Sequence, residues 1–195
     1  MADTKISAMP SAATLTGAEL VPLVQSGANV RTTLSTFSAF SRGNAGAFSS
    51  SVTQTGSTTS GTPFTFNTTD YSGGVTLALN SRLTAPVTGT YNIQFSTQLT
   101  SSDTAPQDVY IWLRINGTDV VGSAGRVGMP ARKNPSDPFH AIYGWNYFLT
   151  LTAGQYVEIV WLPTVATITV PYYAAQTTPA IPSTQSVVVT MSQVA

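Results

Sequence analysis

Short runs with a period of two dominate this chain and leave room for almost no long amphipathic helix. In 91–99, Tyr91, Ile93, Phe95 and Leu99 face one way, while Asn92, Gln94, Ser96 and Gln98 face the other. That alternation belongs to a strand with one face in a core. Comparable β-branched and aromatic runs follow one another from about residue 63: "PFTFN", "VTLALNSRLTAP", "VYIWLRIN", "HAIYGWNYFLTL", "QYVEIVWLP", "ATITVP" and "QSVVVTMSQV". Gly, Pro, Ser and Thr separate them, and Gly117 between "VYIWLRIN" and "TDVVGS" signals a tight hairpin. About eight to ten strands of this kind predict an all-β fold, an antiparallel two-sheet jelly-roll sandwich.

Several of these strands are apolar on both faces. In 109–116, Val109, Ile111, Leu113 and Ile115 form one face, and Tyr110, Trp112, Arg114 and Asn116 form the other. In 141–149, Tyr143, Trp145 and Tyr147 share a face, with Ile142 and Phe148 opposite. A sandwich strand needs only one buried face. The surplus predicts a subunit interface built from Tyr110, Trp112, Arg114, Tyr143, Trp145 and Tyr147. At such an interface the Arg114 guanidinium needs acceptors, either Asn116 or a neighbouring carboxylate.

Residues 1–42 stand apart. "AELVPLVQ" and "VRTTLS" flank Ser26, Gly27 and Asn29 as a short hairpin, and "STFSAF" predicts a helical turn with Ser35 as N-cap. So small a piece buries little core alone. Leu20, Leu23, Val30, Leu34, Phe37 and Phe40 therefore predict an anchoring surface. Residues 43–62, rich in Gly, Ser and Thr, read as a flexible linker, or alternatively as an extended strand ordered only in an oligomer. Residues 63–195 form the predicted head.

Charged residues make up 8% of the 195, against about 25% in a typical chain. Eight basic residues balance eight acidic ones, so the chain has neither the basic excess that nucleic acid demands nor one suited to a membrane surface. A near-neutral surface offers little repulsion to association. There is no cysteine, so disulfides and thiolate chemistry are excluded. The opening residues do not read as a signal peptide, so synthesis in a cytosol is expected.

Catalytic signatures are weak. His140, the only histidine, lies near Ser136 and Asp137, but three residues of one short loop rarely align as a triad. Asp70, Asp103, Asp108, Asp119, Asp137 and Glu158 mark no particular carboxylate pair. Metal-ligand spacing is absent, and no cofactor is implied. Arg126, Arg132 and Lys133 sit in a Gly/Pro-rich loop spanning 123–138, which reads equally as a contact for an acidic partner or host glycan and as a solubilising rim.

Two resemblances follow from quoted residues. "LNSRLTAPVTGTYNIQFSTQL", "VYIWLRINGTDV" and "YFLTLTAGQYVEIVWL" resemble the jelly-roll heads of the complement first component and tumour necrosis factor families. The shared points are Gly89 and Tyr91, the Asn116–Gly117 turn, and Leu151, Gly154, Val157 and Trp161. The sequence departs at Gln155, where many members carry an acid, and in its closing strand. That resemblance implies a compact homotrimer. "DTKISAMPSAATLTGAELVPLVQSGANVRTTLSTF" resembles a module at the start of tailed-bacteriophage virion proteins, with Met9 and Ser11 as departures. Together they imply a non-enzymatic, virion-located homotrimer that binds the major capsid protein or another virion protein. Two placements stay open. One is a decoration or cement protein on the capsid, favoured by the lack of a shaft. The other is a short head or tail fibre knob that binds a host-surface glycan.

Overall fold

The computed structural model describes residues 14–41 and 43–195. The chain divides into two compact units, Met1–Gly43 and Asn44–Ala195.

The first unit is a hairpin followed by a helix. Strands β1 (Leu20–Gln25) and β2 (Ala28–Thr33) pair antiparallel, with Gln25 opposite Ala28. Ser26 and Gly27 both take positive φ (52° and 78°), the two-residue turn whose twist matches paired strands. Helix α1 (Leu34–Ser41) follows at once. Its N-cap is Thr33 rather than the expected Ser35: the Thr33 hydroxyl accepts from the Thr36 N–H at 3.2 Å. The preceding "LTGAEL" folds onto the helix start, where Leu34 N–H donates to the Glu19 carbonyl at 2.7 Å and Ser35 N–H to that of Gly17 at 2.9 Å. The Glu19 carboxylate accepts from Thr16 N–H, Thr16 Oγ1 and Gly17 N–H at 2.7–2.9 Å.

Those bonds, the Thr16 backbone N–H first among them, lower the Glu19 pKa to about 2. A depressed carboxyl stabilises the fold above its ordinary value of 4.5 and loses that effect as pH falls through the folded value. The expected NMR titration therefore shows Glu19 protonating near pH 2, with the Thr16 and Gly17 amide shifts moving in step. A midpoint near 4.5 contradicts the turn.

The second unit begins with β3 (Ala45–Ser50), β4 (Gln54–Thr55), β5 (Thr62–Pro63), β6 (Thr68–Gly73), β7 (Thr76–Ala78) and β8 (Arg82–Thr84). The long strands β9 (Gly89–Ser101) and β10 (Gln107–Ile115) come next, then β11 (Thr118–Asp119), β12 (Gly125–Met129), β13 (Phe139–Leu151) and β14 (Tyr156–Pro163). The chain closes with β15 (Ile168–Val170), β16 (Gln176–Thr177), β17 (Ala180–Ile181) and β18 (Val187–Gln193).

Two antiparallel sheets result. Sheet I runs β7-β8-β14-β10, with β11 and β12 end to end on the far edge of β10, and β5 beside β14. Sheet II runs β6-β3-β18-β9-β13, with β15 continuing the line of β18 beside β9 and β4 outside β15. The chain alternates between sheets from β8 to β9, β9 to β10, β12 to β13, β13 to β14 and β14 to β18. This is the expected jelly-roll sandwich.

Inward residues of both sheets fill the core: Tyr91, Ile93, Phe95 and Leu99; Val109, Ile111 and Leu113; Val157, Ile159 and Trp161; Val187, Val189 and Met191. Trp161 stacks on Phe64 at 5.6 Å, Phe64 lies 6.4 Å from Phe95, and Phe95 meets Trp145 edge-on at 4.8 Å.

Residues 43–62 are not a free linker. Ala45–Ser50 is an interior strand, paired with β18 on one side and β6 on the other, and Phe48 is in the core. Small residues suffice there because the two ladders satisfy the backbone. The loop expected over 123–138 likewise contains β12, paired with β10 through five residues.

Candidate functional site

The six aromatic-face residues are not brought together. Tyr110, Trp112 and Arg114 lie on the outward face of sheet I, half-buried. Tyr143, Trp145 and Tyr147 lie on sheet II and point inward, because β13 registers Tyr143 opposite Thr97, Trp145 opposite Phe95 and Tyr147 opposite Ile93. They close the gap between the two sheets. The Tyr147 hydroxyl donates to the Ser123 carbonyl, the Tyr143 hydroxyl to that of Gly128 at 3.4 Å, and a Cβ at Gly125 would stand 2.9 Å from the Trp145 ring.

The outward face of sheet I is partly covered by its own chain. Trp112 packs against Gly61, where a Cβ would collide with the indole and with Val160. Its Nε1 donates to Asp119 Oδ1 at 2.7 Å, and Arg114 Nε donates to the same oxygen at 2.8 Å. The hydrogen bond from Trp112, then that from Arg114, lowers the Asp119 pKa. Arg114 thus has the neighbouring carboxylate it was expected to need. Glu158, directly opposite Arg114, is buried with Ser81 Oγ at 2.7 Å and Arg82 Nε at 3.5 Å, and Arg82 lies over the Tyr156 ring at 4.3 Å. Arg126 Nη2 pairs with Asp108 at 2.6 Å, which lowers the Asp108 pKa. Sheet I is therefore the charged sheet.

Sheet II differs. Directly opposed residues share a face, so its outward positions run in rows. One row is Ile142, Gln98; the next is Gly144, Ser96, Val188; then Asn146, Gln94, Thr190; then Phe148, Asn92, Ser192. None of these described positions carries Asp, Glu, Lys or Arg. Ile142, Phe148 and Val188 are 65%, 62% and 41% exposed. At the centre lies an open depression of about 570 Å³, lined by Gln94, Ser96, Gly144, Asn146, Val188 and Thr190. Gly144 makes it: a Cβ there would collide with the Phe95 carbonyl, so no side chain occupies the middle of the face.

In the first unit, Leu23, Val30 and Phe37 line one cavity of about 490 Å³. Leu20 and Phe37 are exposed and Leu34 is half-buried; the side chain of Phe40 lies outside the described residues. Arg132 and Lys133 are not joined to Arg126: Lys133 Nζ lies 3.9 Å from Asp137, and Arg132 N–H donates to the Asp103 carbonyl. The triad candidates also separate. Ser136 Oγ bonds Asn134 Oδ1 at 2.9 Å, whereas His140 Nδ1 lies 2.9 Å from Thr100 Oγ1 and 3.1 Å from the Tyr173 hydroxyl. Among the described residues no group of three or more His, Cys, Asp or Glu is placed to hold a metal ion.

The face of sheet II was not singled out from sequence. Its signal was present in 140–150, where Ile142 and Phe148 alternate with the inward aromatics, and only the register with β9 decides which set is outward.

No protein-family model matches the chain, and no curated protein matches it. Among solved structures the chain is similar to the globular domain of the zebrafish complement 1qA protein, at 15% sequence identity and a TM-score of 0.45, over 78% of this chain and 98% of that one.

Proposed function

We propose that this protein is a non-enzymatic structural component of a phage virion, a homotrimer that decorates the capsid by binding the major capsid protein. The observation that carries the assembly is the outward face of sheet II across β13, β9 and β18, which lacks charge (Asp70 lies on the far edge strand β6), while the opposite sheet carries Arg82, Asp108, Arg114, Asp119, Arg126 and Glu158. Interface centres are depleted in charge, and a monomer gains nothing from segregating its ions in this way. A second copy is the occupant because Asn92, Gln94, Asn146 and Thr190 offer both donors and acceptors, which can pair with the amides and hydroxyls of neighbouring copies around a three-fold axis. Ile142, Phe148 and Val188 supply the apolar contact.

The N-terminal unit is the anchor in this reading. Leu20, Leu23, Val30 and Phe37 present apolar surface on a hairpin and helix too small to bury it. The phage-module resemblance in 3–37 supports a virion partner for it. Three linked anchors turn modest single contacts into lasting attachment. Mounting as a short fibre knob is the second reading, favoured by the fibre-like start of the chain. Imaging particles that carry labelled protein tests the placement. Label over the shell, lost when 1–43 is deleted, supports decoration. Label at the tail favours the knob, and unlabelled particles contradict a virion role.

A further inference from the structure

The connection between β14 and β18 runs from 164 to 186 and carries three short strands of its own. After β15 it forms the small hairpin β16–β17, whose base is clamped by Tyr173 N–H to the Thr184 carbonyl at 3.1 Å and Thr184 N–H to the Tyr173 carbonyl at 2.8 Å. Between this hairpin and the end of sheet II lies a cavity of about 310 Å³. Gln98 of β9 and His140 of β13 come from the sheet; Tyr173, Gln176, Ile181 and Pro182 come from the connection.

Three side chains distant in sequence meet at its edge. His140 Nδ1 contacts both the Thr100 and Tyr173 hydroxyls, which are themselves 3.2 Å apart. The Tyr173 ring stands edge-on to the imidazole at 6.2 Å. This triangle holds the imidazole in place and leaves Nε2 without a partner among the described residues. The side-chain amides of Gln98 and Gln176 also have none among the described residues. The walls thus combine two amides and an imidazole nitrogen, all unengaged, with an aromatic ring and the apolar Ile181 and Pro182. No lining residue carries a carboxylate, ammonium or guanidinium.

We propose that this cavity binds a neutral sugar ring. A pyranose matches it on both counts: its hydroxyls both donate and accept, as free amides do, and its C–H face packs on an aromatic or aliphatic wall. The volume is at the low end for small-molecule sites, about 300 Å³ upward, as a single ring requires. The uncharged lining offers no counter-ion to an anionic or cationic ligand. The site is complete within one chain, so it does not rest on the proposed trimer or on where the head is mounted. A trimer presents three copies, which multiplies a weak single-ring affinity.

Saturation-transfer NMR on the full-length protein tests this, with methyl β-D-galactopyranoside, methyl β-D-glucopyranoside and N-acetylglucosamine as probes. At least one sugar is expected to receive saturation. Its affinity is expected to fall about tenfold or more in both Tyr173→Ala and His140→Ala, the size of one lost ring or hydrogen-bond contact. Tyr173→Phe, which keeps the ring, is expected to lose less. Tyr110→Ala on sheet I is expected to bind as wild type. Absence of transfer to all three sugars overturns the proposal, as does binding unchanged by Tyr173→Ala and His140→Ala in variants whose melting temperature matches wild type.

Discussion

Alanine at Trp161 is expected to remove roughly 3–5 kcal/mol of stability, the usual cost of deleting a buried aromatic. Trp161 is fully buried, and its ring lies parallel to Phe64 with an interplanar angle of 3°. Gly56 packs against its ring with no room for a Cβ, so surrounding backbone has little freedom to collapse into the vacated space. For a domain of this size the loss corresponds to a melting temperature lowered by roughly 6–20 °C. Trp112→Ala provides the contrast. It removes one hydrogen bond to Asp119 and a half-buried packing contact, and costs about 1–2 kcal/mol. Thermal unfolding of the two variants measures the difference, and equal losses contradict the assignment of Trp161 to the core and Trp112 to the outward face.

Lysine at both Ile142 and Phe148 is expected to turn the proposed trimer into monomers while the head stays folded. Both side chains are exposed in the single chain, so folding loses little, typically within about 0.5 kcal/mol for such surface changes. Across a symmetric interface the same two changes act in every copy. They remove two apolar contacts of roughly 1.5–3 kcal/mol each and leave unpaired ammonium groups against an uncharged face, at several kcal/mol more. Sedimentation equilibrium reads the outcome. A variant that remains trimeric with unchanged dissociation contradicts the proposed face.

The alternation in 89–101 let the inward apolar residues Tyr91, Ile93, Phe95 and Leu99 of β9 be assigned from sequence, whereas the buried polar Thr97 and Ser101 on the same face carry no such signal. The Asn116–Gly117 turn was legible for a similar local reason, since positive φ at both positions favours those residues; the first hairpin was legible from Gly27, although Asn29, read as a turn residue, pairs with Val24 inside β2. In β13 both faces are apolar, and the side that points inward is set by its register with β9, a long-range fact. The larger aromatics Tyr143, Trp145 and Tyr147 were therefore assigned to the outside when they seal the sandwich. The cover over Trp112 on the second face of β10 was not legible for a related reason: it comes from Gly61, in a segment whose composition resembles a linker. The Thr100, His140 and Tyr173 cluster has no local signature, since β9, β13 and the β14–β18 connection meet only in the folded sandwich.

The central claim is that self-association buries sheet II and leaves sheet I free. The absence of cysteine makes this directly measurable by thiol labelling of single-cysteine variants. Asn146→Cys places the probe on the uncharged face, and Tyr110→Cys places it on the charged one. In the assembled protein, Asn146→Cys is predicted to react slowly, with the rate recovering on dilution to monomer, while Tyr110→Cys reacts rapidly at every concentration. Free reaction at position 146 together with protection at position 110 contradicts the account and returns the interface to sheet I.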